Sequence, residues 1–440
     1  MRSLYIFFFL FPVFAIAQSQ VTISDGTLIG NQGSSGIRSY KGIPYAAPPV
    51  GDFRWRDPQP VTPWKGKRDA RNFGAKAMQL PLYSDMVFRS NGMSEDCLFL
   101  NVWTPATNSN AKLPVLVYFY GGGFGAGDGS EPRYDGESMA KKGIVVVTVN
   151  YRLSIFGFFA HPELVKESPT YSAGNYGLMD QHAAIVWVQK NIQAFGGDPK
   201  HITIGGESAG ARSVSAQMAT PLSKGLFVGA IGESGSTIGP RIPTLDEASQ
   251  KGLEFAQGKT LKQLRAIPAE ALLQMTKGKS FGLITDGHFF PTPPIDIYTK
   301  GLQMDIPLLA GWNSGEDTAG SAYNTWKWID LHSKTNGFPV YRYFFAYPST
   351  GAPHAFEIPY ALGNLPADAE RDAWKISAFF QQYLANFIKT GNPNGDGLPQ
   401  WYGLQSSIPK VMNFDSTAHS APERSNKYYL MMDARNGNMK

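Results

Sequence analysis

Cysteine is almost missing: Cys97 is the only one in 440 residues. No intrachain disulfide can form, so a disulfide-stapled scaffold is excluded and stability must come from a packed core. Clustered positive charge is missing too. Lys and Arg total 40 against 35 Asp and Glu, a formal net charge of +5, with no basic run that would form a stripe. Nucleic acid is therefore not an expected partner. Beyond the first 17 residues no run is apolar enough to span a bilayer, so no stable membrane anchor is expected. Internal repeats and long linkers are also lacking, which argues against an array or a divided chain.

What is present begins with an N-terminal targeting pattern. Arg2 supplies a positive start, Leu4 to Ala15 is an apolar run, and Ala15-Ile16-Ala17 is a small-residue cleavage site. This predicts a cleaved signal peptide over 1–17 and a secreted or periplasmic product. The remaining 18–440 are expected to form a single domain. Hydrophobic residues make up 42% and charged residues 17%, a balance that can bury a large core. Cys97, beside Leu98-Phe99-Leu100, reads as a buried structural thiol.

Element by element, Val21 to Gly30 reads as a hairpin around Asp25-Gly26. Tyr40 to Trp64, rich in Pro and Gly, reads as irregular. Leu98 to Trp103 alternates like a strand. Leu113 to Tyr120 and Ile144 to Val149 are near-continuous apolar runs that fit strands buried on both faces. Further strands are expected at Phe227–Ile231, Ile306–Gly311 and Pro339–Tyr347. Leu178 to Phe195 has helical spacing and stops at Gly196-Gly197. Thr244 to Lys277 reads as helical. Asp368 to Thr390 reads as a long amphipathic helix with Trp374, Phe379, Tyr383, Leu384 and Phe387 on its apolar side. Strands alternating with helices predict a mainly parallel central sheet with helices on both faces.

Two stretches carry chemistry. Gly206-Glu207-Ser208-Ala209-Gly210 is a G-x-S-x-G pentad. Ile202 and Ile204 lead in like a strand end, and the small residues Ala211, Ser213, Ser215 and Ala216 follow like a helix packed on a sheet. Strand, sharp turn and helix make a nucleophile elbow, in which the flanking glycines remove a steric collision. The helix then points unpaired N–H groups at the serine. The second stretch, Gly121-Gly122-Gly123, follows the strand at Leu113–Tyr120. With the N–H after the serine, such a run makes an oxyanion hole. A second string, Gly232-Glu-Ser234-Gly-Ser236, lacks the closing glycine and is not an elbow.

These motifs resemble those of the type-B carboxylesterase family of α/β-hydrolases. The resemblance runs from about Val21 to the C-terminus. It rests on Tyr40-Lys-Gly-Ile-Pro-Tyr-Ala46, Ser94-Glu-Asp-Cys-Leu98, Gly121-Gly-Gly-Phe124 and Asn150-Tyr-Arg-Leu153. It continues through Gly174-Asn-Tyr-Gly177, Phe195-Gly-Gly-Asp-Pro199 and the Ser208 pentad. The resemblance implies an α/β-hydrolase fold and a serine carboxylesterase that needs no metal or organic cofactor. It implies Ser208 as nucleophile, Glu316 as acid and His354 as base. Asp317 beside Glu316 is a rival acid, because it replaces a glycine of the family motif. The N–H groups of Gly122, Gly123 and Ala209 are implied as the oxyanion hole. Glu207 lies at a family position near the histidine, with a structural hydrogen bond to Ser234 as its other reading. Arg54 with Glu95, and Arg152 with Asp180, occupy family ion-pair positions.

The sequence departs from the family in three places. The family's partner for the Cys97 position is Met78 here. The loop between them holds Tyr83 and Phe88 but no Trp, which disfavours choline esters. His354 follows Glu316 by only 38 positions. The family has a longer helical insert there; here one helix-length piece, Ala319 to Thr335, remains. The expected pocket is open and accepts bulky or aromatic esters. The competing readings are a catalytically impaired binding protein and a different α/β-hydrolase acyl transfer.

Overall fold

In the computed structural model the described residues are 17–239, 241–317, 319–407, 409–422 and 426–437. The predicted signal segment lies outside them, apart from Ala17.

One sheet runs through the molecule. Its principal strands, in chain order, are β1 (Ala17–Ile23), β2 (Gly26–Gln32), β3 (Arg38–Pro44), β4 (Phe99–Thr104), β5 (Leu113–Phe119) and β6 (Val145–Val149). They continue with β7 (Gly197–Glu207), β8 (Gly229–Glu233), β9 (Leu308–Asn313), β10 (Val340–Phe345), β11 (Lys410–Phe414) and β12 (Ala418–Pro422). The spatial order is β1-β2-β3-β4-β6-β5-β7-β8-β9-β10-β11-β12. Strands β6, β5 and β7 through β11 are mutually parallel, with antiparallel pairs at both ends. This is the architecture of an α/β-hydrolase.

The parallel strands read as apolar runs because both faces are covered. Every residue of β6 is buried, as is every residue of β9. Five helices matter for the site: α1 (Tyr176–Asn191), α2 (Ala209–Ala219), α3 (Leu245–Ala256), α4 (Ser321–Thr335) and α5 (Arg371–Thr390). Glycine lets α4 dock. A Cβ on Gly232 of β8 would lie 2.2 Å from the ring of Trp328 on α4.

Several boundaries shift from the sequence reading. Tyr40 is not in irregular chain but in β3. A register shift between Tyr40 and Ile43 and a positive φ at Gly42 break the alternation that would have revealed the strand. The long helix starts at Arg371, not Asp368, and Trp374 stands exposed. The buried face is instead set by Ala373, Ile376, Phe380, Tyr383, Leu384 and Phe387. Pro366 and Asp368 before Arg371 spell a turn rather than a helical start.

Arg152 and Asp180 form a buried two-pronged pair, with Nε and an Nη at 2.8 and 2.7 Å from the two carboxylate oxygens. The Arg152 backbone N–H donates to the same carboxylate at 3.0 Å. The pair ties the turn after β6 to α1. Arg54 grips Glu95 at 2.6 Å and also donates to the carbonyls of Leu264 and Ile267. That anchors the small helices after α3 onto the main body.

Removing one partner of a buried pair leaves an uncompensated charge, at a cost of about 3–5 kcal/mol. Asp180→Ala should therefore lower the urea midpoint sharply, or prevent folding. Asp69→Ala, which breaks the exposed pair with Arg71, should leave the midpoint in place. Equal midpoints for both variants would show that Arg152–Asp180 does not hold the fold.

Candidate active site

The site grows out of the end of β7. Ser208 follows the strand directly and holds φ 55° and ψ −115°, a conformation side chains rarely adopt. Its backbone N–H donates to Glu233 O of β8 at 2.8 Å, and its carbonyl accepts Arg212 N–H at 2.9 Å as the first turn of α2. The chain can bend this sharply only with glycine on either side. A Cβ on Gly206 would sit 2.6 Å from the Gly210 carbonyl carbon, and one on Gly210 2.0 Å from Phe119 O. The pentad is thus a steric requirement of the turn.

His354 comes from the segment after β10, and Glu316 from the turn after β9. His354 Nε2 lies 2.8 Å from Ser208 Oγ, and His354 Nδ1 lies 3.2 Å from Glu316 Oε1. Ser321 Oγ donates to the other Glu316 oxygen at 2.6 Å. Asp317 takes a different job: its carboxylate accepts Ala319 N–H at 3.0 Å in the turn before α4. The His354 side chain is 45% exposed, whereas that of Glu316 is 1% exposed. The imidazole is reachable from outside and its carboxylate partner is not.

The glycine run lies across from the serine. Gly122 and Gly123 have φ of 110° and 64°. A Cβ on Gly122 would come 2.2 Å from Ala126 O. Among the described residues, the N–H groups of Gly122, Gly123 and Ala209 have no intramolecular acceptor. Two of these donors lie on the glycine run, which passes beside Ser208, and the third at the positive end of α2.

Buried carboxylates surround the imidazole. Glu207 Oε1 lies 3.2 Å from His354 Nε2 without the alignment of a hydrogen bond. Glu207 does not bond Ser234, as one reading of the sequence had it. Ser234 Oγ donates to Glu357 at 2.9 Å instead, and Asn313 donates to the same carboxylate. The reason is reach: Ser234 leaves β8 with φ 57° and turns toward the segment that carries His354. Burial pushes Glu207 well above the usual carboxylate range. Burial, then the Glu316 charge, pushes Glu357 up to about 7. Burial lowers the His354 pKa, but the Glu316 hydrogen bond and the negative field of Glu207, Glu316 and Glu357 outweigh it and push it up to about 9. That rise depends on those glutamates being ionised. Glu357 itself titrates at about 7, so its share of the field fades as the pH falls below neutrality.

Two clefts meet here. One of about 370 Å³ contains Ser208, Ser234, Glu316, Asn324 and His354. A larger one, of about 830 Å³, runs from Gly123 and Phe124 along Phe158, Ile242, Phe255 and Phe281. Arg212 lines both. Tyr83 closes over the glycine run; its hydroxyl would lie 3.1 Å from a Cβ on Gly123. Sequence reasoning missed Glu357 and Asn313, which sit behind the imidazole, and Ser321, which steadies Glu316. For Ser321 the signal was its place at the start of a predicted helix just past Glu316. Glu357 carried only its place in the segment of His354. Among the described residues, no group of three or more His, Cys, Asp or Glu side chains is placed to hold a metal ion. No helix among them is long and apolar enough to cross a membrane.

Chemically, the arrangement can draw the Ser208 proton onto His354 and hold an oxyanion opposite. Residues 17–327 and 320–431 match the profile of the carboxylesterase family. Fumonisin B1 esterase of Sphingopyxis macrogoltabida is 43% identical over 67% of this chain, and the match spans 55% of that protein's length. Para-nitrobenzyl esterase of Bacillus subtilis is 33% identical, over 93% of this chain and 98% of that protein. The crystal structure of a Geobacillus stearothermophilus carboxylesterase superposes with a TM-score of 0.82 at 31% identity, covering 93% of this chain and 98% of that one.

The Glu207 carboxylate, where ionised, stabilises the imidazolium of His354. Glu207→Gln should lower the His354 pKa and move the acidic limb of the kcat/KM profile to lower pH. A pH–rate profile checks this, and an acidic limb that moves upward or stays in place would refute the coupling.

Proposed function

This chain belongs to the carboxylesterase family of carboxylic ester hydrolases, and we propose that it cleaves esters through an acyl-enzyme on Ser208. The observation that carries the proposal is the continuous line Ser208 Oγ–His354–Glu316, at 2.8 and 3.2 Å, on a strand-to-helix elbow. Ser208 attacks the acyl carbonyl while His354 takes its proton. Glu316 fixes the imidazole tautomer and favours its cationic form. The N–H groups of Gly122, Gly123 and Ala209 hold the tetrahedral oxyanion. His354 then protonates the departing alcohol, and water, activated by the same imidazole, releases the acid. No metal or organic cofactor takes part. Glu207 tunes His354 rather than touching substrate. The product of the gene is secreted or periplasmic after removal of residues 1–17.

The substrate side rests on the short connection from Glu316 to His354. A single helix, α4, stands where the resemblance implies a longer insert, and the imidazole is 45% exposed. With little wall above the site, bulky or aromatic esters gain room. Small esters lose enclosing apolar contacts, each buried methylene being worth roughly 0.8 kcal/mol.

Ser208→Ala should abolish hydrolysis of a p-nitrophenyl ester without unfolding, and an organophosphate should label Ser208 stoichiometrically. Glu316→Ala should lower kcat on the order of 10⁴-fold, against less than about tenfold for Asp317→Ala. Side-by-side kinetics decide between the two carboxylates; a larger loss in Asp317→Ala reverses the assignment.

In a series from acetyl to benzoyl and naphthoyl esters, KM should be weak for acetate and kcat/KM comparatively good for the aryl acyl groups. Turnover confined to acetyl esters would sink the open-pocket reading.

A further inference from the structure

Arg212 is one helical turn past Ser208, so the two side chains share a face of α2. It is partly buried, and its guanidinium stands 5.2 Å from the centre of the Phe124 ring. Arginines in such places ordinarily answer a carboxylate, as Arg54 and Arg152 do in this chain. Arg212 does not. Burial alone pushes its pKa down, with no carboxylate acting against that shift. Keeping a guanidinium charged away from water without an anion is costly.

Its position gives the charge a use. Arg212 is the residue common to the cleft that contains Ser208 and His354 and to the larger cleft that begins at Gly123. The larger cleft carries Arg212, Arg241, Lys251 and Lys279 against one acid, Glu254. Arg241 is answered by Glu247 at 2.7 Å on the exposed rim. Lys251, Lys279 and Glu254 are exposed as well. In the smaller cleft, Glu316 is turned to His354 and Ser321, and Asp317 caps the turn before α4. Among the described residues, the guanidinium at the junction is left without a counter-charge, on apolar ring walls, within a side chain's reach of the reacting serine.

We propose that Arg212 forms an anion subsite, and that the preferred substrates are esters whose acyl part carries a free carboxylate close to the ester carbonyl. Half-esters of short dicarboxylic acids such as glutarate have this chemistry. The proposal rests on the ester-hydrolase reading above and names its substrate class. A carboxylate accepts two parallel N–H bonds from the guanidinium, which Phe124 holds in place from one side. The lysines on the rim steer the anion inward without holding it. The acyl group is then pinned at two points, the oxyanion hole and Arg212, while the alcohol stays free to vary.

The test compares p-nitrophenyl hemiglutarate with p-nitrophenyl valerate, which match in length and differ in charge. At low salt the wild-type enzyme should favour the hemiglutarate in kcat/KM by about tenfold or more, mainly through KM. Added salt should shrink that ratio. In Arg212→Gln the ratio should fall to near unity, and Arg212→Lys should restore part of it. A wild-type ratio at or below one overturns the subsite. So does an Arg212→Gln enzyme that loses both esters equally, since that marks a packing role. If Arg212→Gln does not fold, the wild-type ratio and its salt dependence decide alone. Turnover of valerate without preference removes only the subsite; absence of turnover on both esters removes the hydrolase reading with it.

Discussion

Everything at the site depends on the backbone of Ser208. Its φ of 55° costs on the order of 1–3 kcal/mol for a residue with a side chain. The neighbours must over-determine it. Glu233 O fixes the Ser208 N–H, α2 fixes its carbonyl, and the contacts at Gly206 and Gly210 leave no room for another path. Parallel pairing of β7 with β5 and β8 sets the strand that delivers the turn. From that single bend follow the exposed Oγ and the free N–H of Ala209. The direction of Arg212, one turn further along α2, follows from it too.

The imidazole opposite is held by a different kind of force. Glu207, Glu233 and Glu357 are buried within this region beside the enclosed Glu316 side chain, and burial raises the first three. Only Glu316 makes a hydrogen bond to His354. Glu357 is tied to Ser234 and Asn313, and Glu233 accepts the Tyr118 hydroxyl. The cluster therefore joins β5, β8 and β9 to the segment carrying His354 through polar contacts in a low-dielectric interior. These ties hold the His354 segment to the sheet across the short connection from Glu316.

Most of the frame was legible in the chain. Continuous apolar runs such as Val145 to Val149 marked the buried parallel strands, and the glycine spacing around Ser208 marked the elbow. The triad order came from the family resemblance at Glu316 and His354. Failures occurred where tertiary context overrode local pattern. The bulge near Gly42 hid β3, and Trp374 is apolar yet exposed. The edge hairpin of β11 and β12 carries too few apolar residues to stand out. Ser234 could not be matched to Glu357, because those residues are 123 positions apart and meet only through the fold. Nor could the unanswered charge of Arg212 be read from sequence, since a missing partner is visible only in three dimensions.

Cys97 is free, buried, and has its thiol pKa pushed well up by that burial. Folding therefore waits on no oxidation step, and the same core can assemble in a reducing or an oxidising compartment. The thiol becomes available only when the interior opens. Its alkylation rate thus clocks the opening of the native core. The molecule carries its own single-site gauge of breathing, with nothing engineered and no second sulfhydryl to blur the reading.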